Sequence, residues 1–259
     1  MEDFLLYWRN FPAFFLAILL GYYLLPAGLA YLLFFVFKKE DWEKMRIQER
    51  RPKLRSIYHE IRWSLLSVCL FSIFTLILFY NVKKGYTLVY YDIGDYGWAY
   101  FLLSPLICMV LHDTYFYWGH RFMHLRAVFP WVHSVHHRSN PPTPWAILSF
   151  GPLECVILYA VYFLLAFFLP LHPVAAGIFI GYNIILNTGG HIGYEIVPRP
   201  FFNHWLLKYG LTVTHHEMHH AKGNCNYGLY FNFWDRVMKT NHREYERTFM
   251  RVRNKIEQQ

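Results

Sequence analysis

Charge is scarce in this 259-residue chain: Asp, Glu, Lys and Arg make up 16% of it, where a soluble domain carries about 25%. Cysteine is scarce too. Of the four, Cys69, Cys108, Cys155 and Cys225, three lie in apolar runs and none forms a CxxC pair. That excludes a disulfide framework and a cysteine-ligated zinc or iron–sulfur site. There is no GxGxxG fingerprint for a dinucleotide, no internal repeat and no low-complexity tract. No cleavable signal peptide is expected. The N-terminus is acidic, with Glu2 and Asp3, and the first apolar run is too long for a signal core.

Apolar and aromatic residues fill the space, at 55% and 21%, and the formal net charge is +8. The basic residues sit in loops beside apolar runs, which favours an anionic membrane surface over nucleic acid. Five runs stand out: 11–37, 63–80, 98–118, 153–169 and 174–190. The first is one tilted span, because two would need about 40 residues. Gly21 and Pro26 predict a kink in it. The fifth is short, either a span or a re-entrant segment. Gly177 and Gly181 give it a small-xxx-small face suited to close helix packing.

The positive-inside rule sets the orientation. Segment 38–62 carries nine Lys and Arg residues, Lys38 among them, and is expected in the cytoplasm. The N-terminus and loop 81–97 are then outside, and the basic tail after His191 is cytoplasmic. The expected fold is an all-α membrane bundle of four to five spans with a histidine-rich helical cap on the cytoplasmic side. Residues 1–97 read as an N-terminal membrane region, 98–240 as the catalytic region and 241–259 as a basic tail.

Eleven of the fifteen histidines fall in three short groups plus His191. The first holds His112, His120 and His124; the second His133, His136 and His137; the third His215, His216, His219 and His220. All lie at the cytoplasmic ends of spans or just beyond them. Residues four apart on a helix differ by about 40° around its axis and share a face. His120 and His124 are so placed, and each HxxHH reads as a comb of three nitrogens. Neutral imidazole suits iron, zinc, copper and nickel. Eight nitrogens, or nine with His191, exceed one ion's needs and fit two ions with four or five each. A pH-sensing cluster is the alternative, but it gives no reason for the repeated comb. The lone His59, His172 and His242 read as ordinary structural residues. A second class of function stays open: His216-Glu217-Met218-His219-His220 matches HExxH, the signature of a zinc metalloprotease with Glu217 as its base. That reading leaves the other clusters unexplained.

The ordered boxes His120–His124, His133–His137 and His216–His220, followed by Trp234-Asp235-Arg236, resemble the fatty acid hydroxylase/sterol desaturase superfamily over residues 102–240. The stretch from Asp113 to His124, DTYFYWGHRFMH, is similar to that family's first box. Some members carry a further HxxxH; here Asn187 stands where its first histidine would be, and His191 keeps the second. The resemblance implies nine ligands: His120, His124, His133, His136, His137, His191, His216, His219 and His220. His112, His204 or His215 are candidates for a tenth. Asp113, Glu195, Glu217 and Asp235 are candidates for holding the ligands' other ring nitrogens, or else surface and capping carboxylates. Glu154 is either a functional intramembrane acid or an interfacial residue.

The resemblance further implies two ferrous ions that activate O2 against an unactivated C–H bond, with zinc able to take their place in isolated protein. Electrons would come from a ferredoxin or a cytochrome b5-like carrier with its reductase, which the basic cytoplasmic surface could dock. The substrate would be a membrane lipid, hydroxylated or desaturated. Tyr115, Phe116, Tyr117, Trp118, Trp131 and Trp145 either line its path or form an interfacial belt. The short chain without an appended domain points to a bacterial inner membrane rather than the endoplasmic reticulum.

Overall fold

The computed structural model describes residues 7–37 and 39–257; Glu2, Asp3 and Lys38 fall outside them. Among the described residues the fold is helical, with isolated bridges in place of strands. Three helices are long and apolar enough to cross a membrane: α1 (Trp8–Phe37), α2 (Leu54–Lys83) and α3 (Gly97–Met123). They are followed by two single turns, α4 (Phe129–Val132) and α5 (Ser134–His137). Next come α6 (Pro152–Phe168) and α7 (Pro173–Gly190), each opened by a proline at a position whose N–H would be unsatisfied anyway. The short helices α8 (Val213–Lys222), α9 (Phe233–Val237) and α10 (Tyr245–Glu257) complete the chain.

The irregularity expected in α1 takes the form of π-helical turns at Ile18–Leu24 and Leu32–Phe37; Pro26 opens the α-helical stretch between them. π turns are one of the recognised ways a helix absorbs a bend. α2 and α3 both overrun their apolar segments. α3 continues five residues past Trp118, and that extra length carries His120 and His124 beyond the apolar layer.

Serines let α2 approach its neighbours closely. Ser64 donates to the Trp145 carbonyl at 3.0 Å and Ser67 to that of Phe150 at 3.3 Å. Small hydroxyls of this kind replace apolar collapse as the packing device inside lipid. The glycine face of α7 does not act in this way. A Cβ on Gly177 or Gly181 would meet nothing within 4 Å, so the expected close packing is absent within the chain. α7 instead packs on α3 and α6 through Ala175 and Phe179.

Two ends of the bundle are distinct. At one, the turn between α6 and α7 meets the loop before α3: Leu88 N–H donates to Ala166 at 2.9 Å, and Leu171 to Leu88 at 3.4 Å. At the other, Ile47 N–H donates to Gly193 at 3.2 Å and Glu195 to Met45 at 2.8 Å. α6 and α7 therefore connect these two ends of the bundle. Residues 39–62 and 192–257 share one end, together with every histidine box. The final helix folds back on α8, burying Tyr245, Phe249 and Val252.

Candidate metal centre

Four elements deliver imidazoles to one place. The last turn of α3 presents His120, and its cap position presents His124. His133 joins α4 to α5, and α5 ends with His136 and His137. His191 follows the last residue of α7. α8 carries His216, His219 and His220. Thr212 caps its N-terminus, and Gly223, at φ 80°, closes it in the left-handed conformation that glycine adopts freely.

The nine predicted ligands form two groups. His120, His124, His133, His137 and His219 make one; His136, His191, His216 and His220 make the other. Within each group one ring nitrogen per residue lies within 4.8 Å of all the rest. The combs expected from HxxHH are split. His133 and His137 serve the first group while His136 serves the second; His216 and His220 serve the second while His219 serves the first. Successive helical residues diverge by about 100°, so neighbours in the chain turn to opposite groups.

The chemistry of the donors fits a metal in each group. The Nδ1 atoms of His120 and His219 donate to the carbonyls of Tyr227 and Cys225 at 2.9 and 2.7 Å. Nδ1 of His133 meets the Glu154 carboxylate at 2.7 Å, and Nδ1 of His191 the Asn187 carbonyl at 2.8 Å. These bonds place the proton on Nδ1 and leave a lone pair on Nε2. The Nε2 atoms then face one another: His120 and His133 at 3.0 Å, His137 with His124 at 3.1 Å and with His219 at 3.0 Å. In the second group His216 stands 3.1 Å from both His191 and His220. Opposed lone pairs repel unless a cation lies between them. Metal–nitrogen bonds of about 2.1 Å at right angles put neighbouring nitrogens about 3.0 Å apart. Burial, reinforced by the surrounding imidazoles, holds His136, His216 and His220 well below the usual histidine value, and burial takes His219 to about 4. All four are neutral donors at pH 7.

The remaining candidates have other partners. His112 pairs through Nδ1 with the Tyr230 hydroxyl at 2.7 Å. Asp113 accepts the N–H groups of Leu229, Tyr230 and Phe231. It thereby satisfies a non-helical loop that dips into the bundle, where free N–H groups are costly. Glu195 accepts from Val197 and Thr214, and Asp235 from Tyr227, Gly228 and Thr240. His215 bonds Asn241 at 3.1 Å and lies 3.5 Å from Asp235. His204 caps its own turn at Leu206 and Leu207. Asn187 uses its side chain on the Ile147 carbonyl at 3.1 Å. None of these joins either group. Of the four carboxylates expected behind the ligands, none touches a ligand ring; Glu154 does so instead. Its sequence signal was an acid in the first turn of an otherwise apolar helix, a position that demands a partner. The carbonyls of Tyr227 and Cys225 carried no comparable signal.

Glu217 bonds Gln48, and burial pushes its carboxyl up to about 8. His216 and His220 do converge, but with His136 and His191 beside them. A catalytic zinc site has three protein ligands and an open position. Four histidines and a glutamate engaged elsewhere do not reproduce it.

Two voids reach the histidines. A cavity touches His120 and His133 of the first group and His136, His191 and His216 of the second. A largely apolar groove, with Ile185, Leu186, Ile196 and Phe201 in its walls, runs inward from the side of α7 to His191 and His216. Of the six aromatics considered for a substrate path, Phe116 alone borders these voids. Tyr117 is buried against Thr240, Tyr115 bonds the Ile157 carbonyl, and Trp145 packs on Tyr23 and Tyr31. Trp118 and Trp131 are exposed, at 44% and 79%.

Fold and site together define an integral membrane helical bundle with two polyhistidine groups able to hold metal at one end. A sequence model of the fatty acid hydroxylase family matches residues 105–240, and the chain belongs to that family. It is 33% identical to lathosterol oxidase of Rattus norvegicus over 70% of this chain and 60% of the relative. A Delta(7)-sterol 5(6)-desaturase of Gibberella zeae is 29% identical over 82% of this chain and 63% of its own length. Another, from Schizosaccharomyces pombe, is 30% identical over 83% and 67%. The chain thus spans less than two thirds of the first two relatives. All three relatives are eukaryotic, so the bacterial expectation draws no support from them. No solved structure matches.

Proposed function

We propose that this chain is a di-iron membrane oxygenase that hydroxylates or desaturates a C–H bond of a membrane lipid. The carrying observation is the set of Nε2 atoms 3.0–3.1 Å apart, with Nδ1 of four of these rings held by carbonyls or Glu154. Right-angled spacing suits five- or six-coordinate iron better than tetrahedral zinc, although zinc can fill the site in isolated protein. The bound iron pair would supply O2 activation.

The chain's own residues do the rest. The backbone carbonyls and Glu154 keep ligand rings in one tautomer. The groove beside α7 admits an apolar substrate laterally from lipid to the histidines. Hydroxylation consumes one O2, two electrons and two protons, leaving one oxygen in the product and one in water. Desaturation removes two hydrogens and sends both oxygen atoms to water. The electrons come from a separate ferredoxin or cytochrome b5-like protein and its reductase. Arg50, Arg51, Lys53, Arg55 and Arg138 line a surface pocket at the histidine end, a fit for an acidic carrier.

That end faces the cytoplasm, on the positive-inside rule. The catalytic region is 98–240, preceded by the membrane region 1–97 and followed by the basic tail 241–259. The relatives' names point to sterols as the lipid class. Purified protein should hold two metal ions per chain and form product from lipid only with O2 and a reductant. One ion or none in folded protein, or turnover without O2, would overturn the proposal. Cysteine labelling that placed segment 38–62 and the chain after His191 on opposite faces would overturn the topology.

A further inference from the structure

Exposed apolar side chains are not confined to the long helices. Between α7 and α8 the chain makes two 3-10 turns, Arg199–Asn203 and Leu207–Tyr209. Trp205, Leu206 and Leu207 stand out from this segment, and no acidic residue occurs from Ile196 to Tyr209. On α9, Phe233 and Val237 lie one turn apart and are exposed as well. Large apolar groups gathered at a surface mark contact with a partner or a membrane.

Hydrogen bonds fix the depth of this patch. Asp113 of α3 accepts the N–H groups of Leu229, Tyr230 and Phe231, so that loop lies level with Asp113. Leu211 N–H donates to the Tyr230 carbonyl at 3.1 Å, and Asn232 N–H to the Tyr209 carbonyl at 2.7 Å. The second turn is thereby held beside the loop. α9 is tied to the same stretch of α3: Trp234 donates to the Thr114 hydroxyl at 3.1 Å, and its ring lies 5.6 Å from that of Trp118. Asp113 precedes Trp118, the end of the apolar run, by five residues, or about 7.5 Å of helix rise. The patch therefore lies within the apolar layer that α3 crosses, on its histidine side.

The backbone there is completed as lipid requires. Away from water, non-helical N–H and C=O groups need partners within the protein. Asn232, fully buried, donates its amide to the Lys208 carbonyl at 3.0 Å, and Arg236 donates to the same carbonyl at 3.3 Å. Gly210 N–H donates to the Leu207 carbonyl at 2.9 Å, and His204 accepts the N–H groups of Leu206 and Leu207. The cations of Lys208 and Arg236 lie over the Tyr209 ring at 5.3 and 5.7 Å. Long basic side chains at a membrane surface lie along apolar groups in this way and keep their charged heads in water.

We propose that residues 196–209 and α9 form a wedge that enters the bilayer from the histidine end without crossing it, with Trp205, Leu206, Leu207, Phe233 and Val237 against acyl chains. A depth of about 7 Å is that of helices lying in a membrane interface. Lipid, not another protein, covers the patch because it continues surfaces that the long helices present to lipid. Trp118 of α3 adjoins α9, and Ile185 and Leu186 of α7 share the groove walls with Ile196 and Phe201 of the wedge. Trp205 is as exposed, at 73%, as Ile185, at 68%. The groove then opens among acyl chains and not among headgroups. This insertion is independent of what the histidines bind.

Spin labels report the surroundings of the patch directly. Leu206→Cys and Val237→Cys are each labelled in the full-length chain and reconstituted in phosphatidylcholine vesicles. Both labels should collide with O2, which concentrates among acyl chains, in preference to a water-soluble nickel chelate. Their O2-to-nickel collision ratio should match that of Leu106→Cys on the outer face of α3 and exceed that of Lys255→Cys on α10 several-fold. Wild type taken through the same labelling gives the background from Cys69 and the three buried cysteines. A ratio like that of Lys255→Cys at both sites would put the patch in water and overturn the inference. Shielding of both labels from both reagents would mean cover by a second copy or another protein and would overturn it equally. Two sites on separate elements guard against a local disturbance at either one.

Discussion

The five-histidine and four-histidine groups differ in how they are held and what they face. In the first, three rings have their Nδ1 atoms anchored, by Tyr227, Glu154 and Cys225. In the second only His191 is anchored, by Asn187, while Nδ1 of His136 and of His220 is buried without a partner. The second group also has one ligand fewer and borders both the cavity and the groove. On the di-iron proposal, five imidazoles would leave an ion less room for another ligand than four would. The groove beside α7 reaches the second group only, through His191 and His216.

Removing one imidazole from either group breaks that comparison most severely. His136→Ala and His124→Ala should each lower the metal content from two ions towards one. Activity should fall by more than the ~10–100-fold typical of changes behind the ligands. Metal analysis and product formation check both. Undiminished activity in His136→Ala would sink the two-metal reading. The four-histidine group, with fewer anchors, should also lose its ion first under chelation, which a stepwise metal titration would detect.

Glu154 is the next largest lever. Glu154→Leu strips His133 of its partner and should cost about 10–100-fold in affinity for the first ion or in activity. Glu154→Gln keeps an acceptor and should cost less. Equal metal affinity in Glu154→Leu and wild type would show that the contact orients nothing. Glu217→Gln is expected to have the smallest effect: both ions retained and activity within about tenfold of wild type, below the usual effect of a group that touches a ligand. A protease using Glu217 as its base would instead lose nearly all turnover in this variant.

Much of the site was readable before any fold was known. HxxxH and the outer pair of each HxxHH mark imidazoles one helical turn apart, and apolar runs with basic flanks put distant boxes at one end. The acids near the boxes were harder to read. Asp113, Glu195 and Asp235 bond backbone N–H groups, because non-helical segments around α8 need acceptors that helices supply for themselves. Glu154 reaches His133 across 21 residues, and spacing of that kind carries no periodic signal.

By itself the sequence determined which histidines stand one helical turn apart and that the boxes gather at one end of the helices, since hydropathy and helical period are local properties of the chain. Tertiary structure alone decided that His136 parts from His137 and His219 from His220, that Glu154 holds a ligand ring, and that the turn at Leu207–Tyr209 is tied to a loop level with Asp113. Each of those depends on where a second helix stands, and the angle and depth at which helices meet are set by packing between segments far apart in the chain.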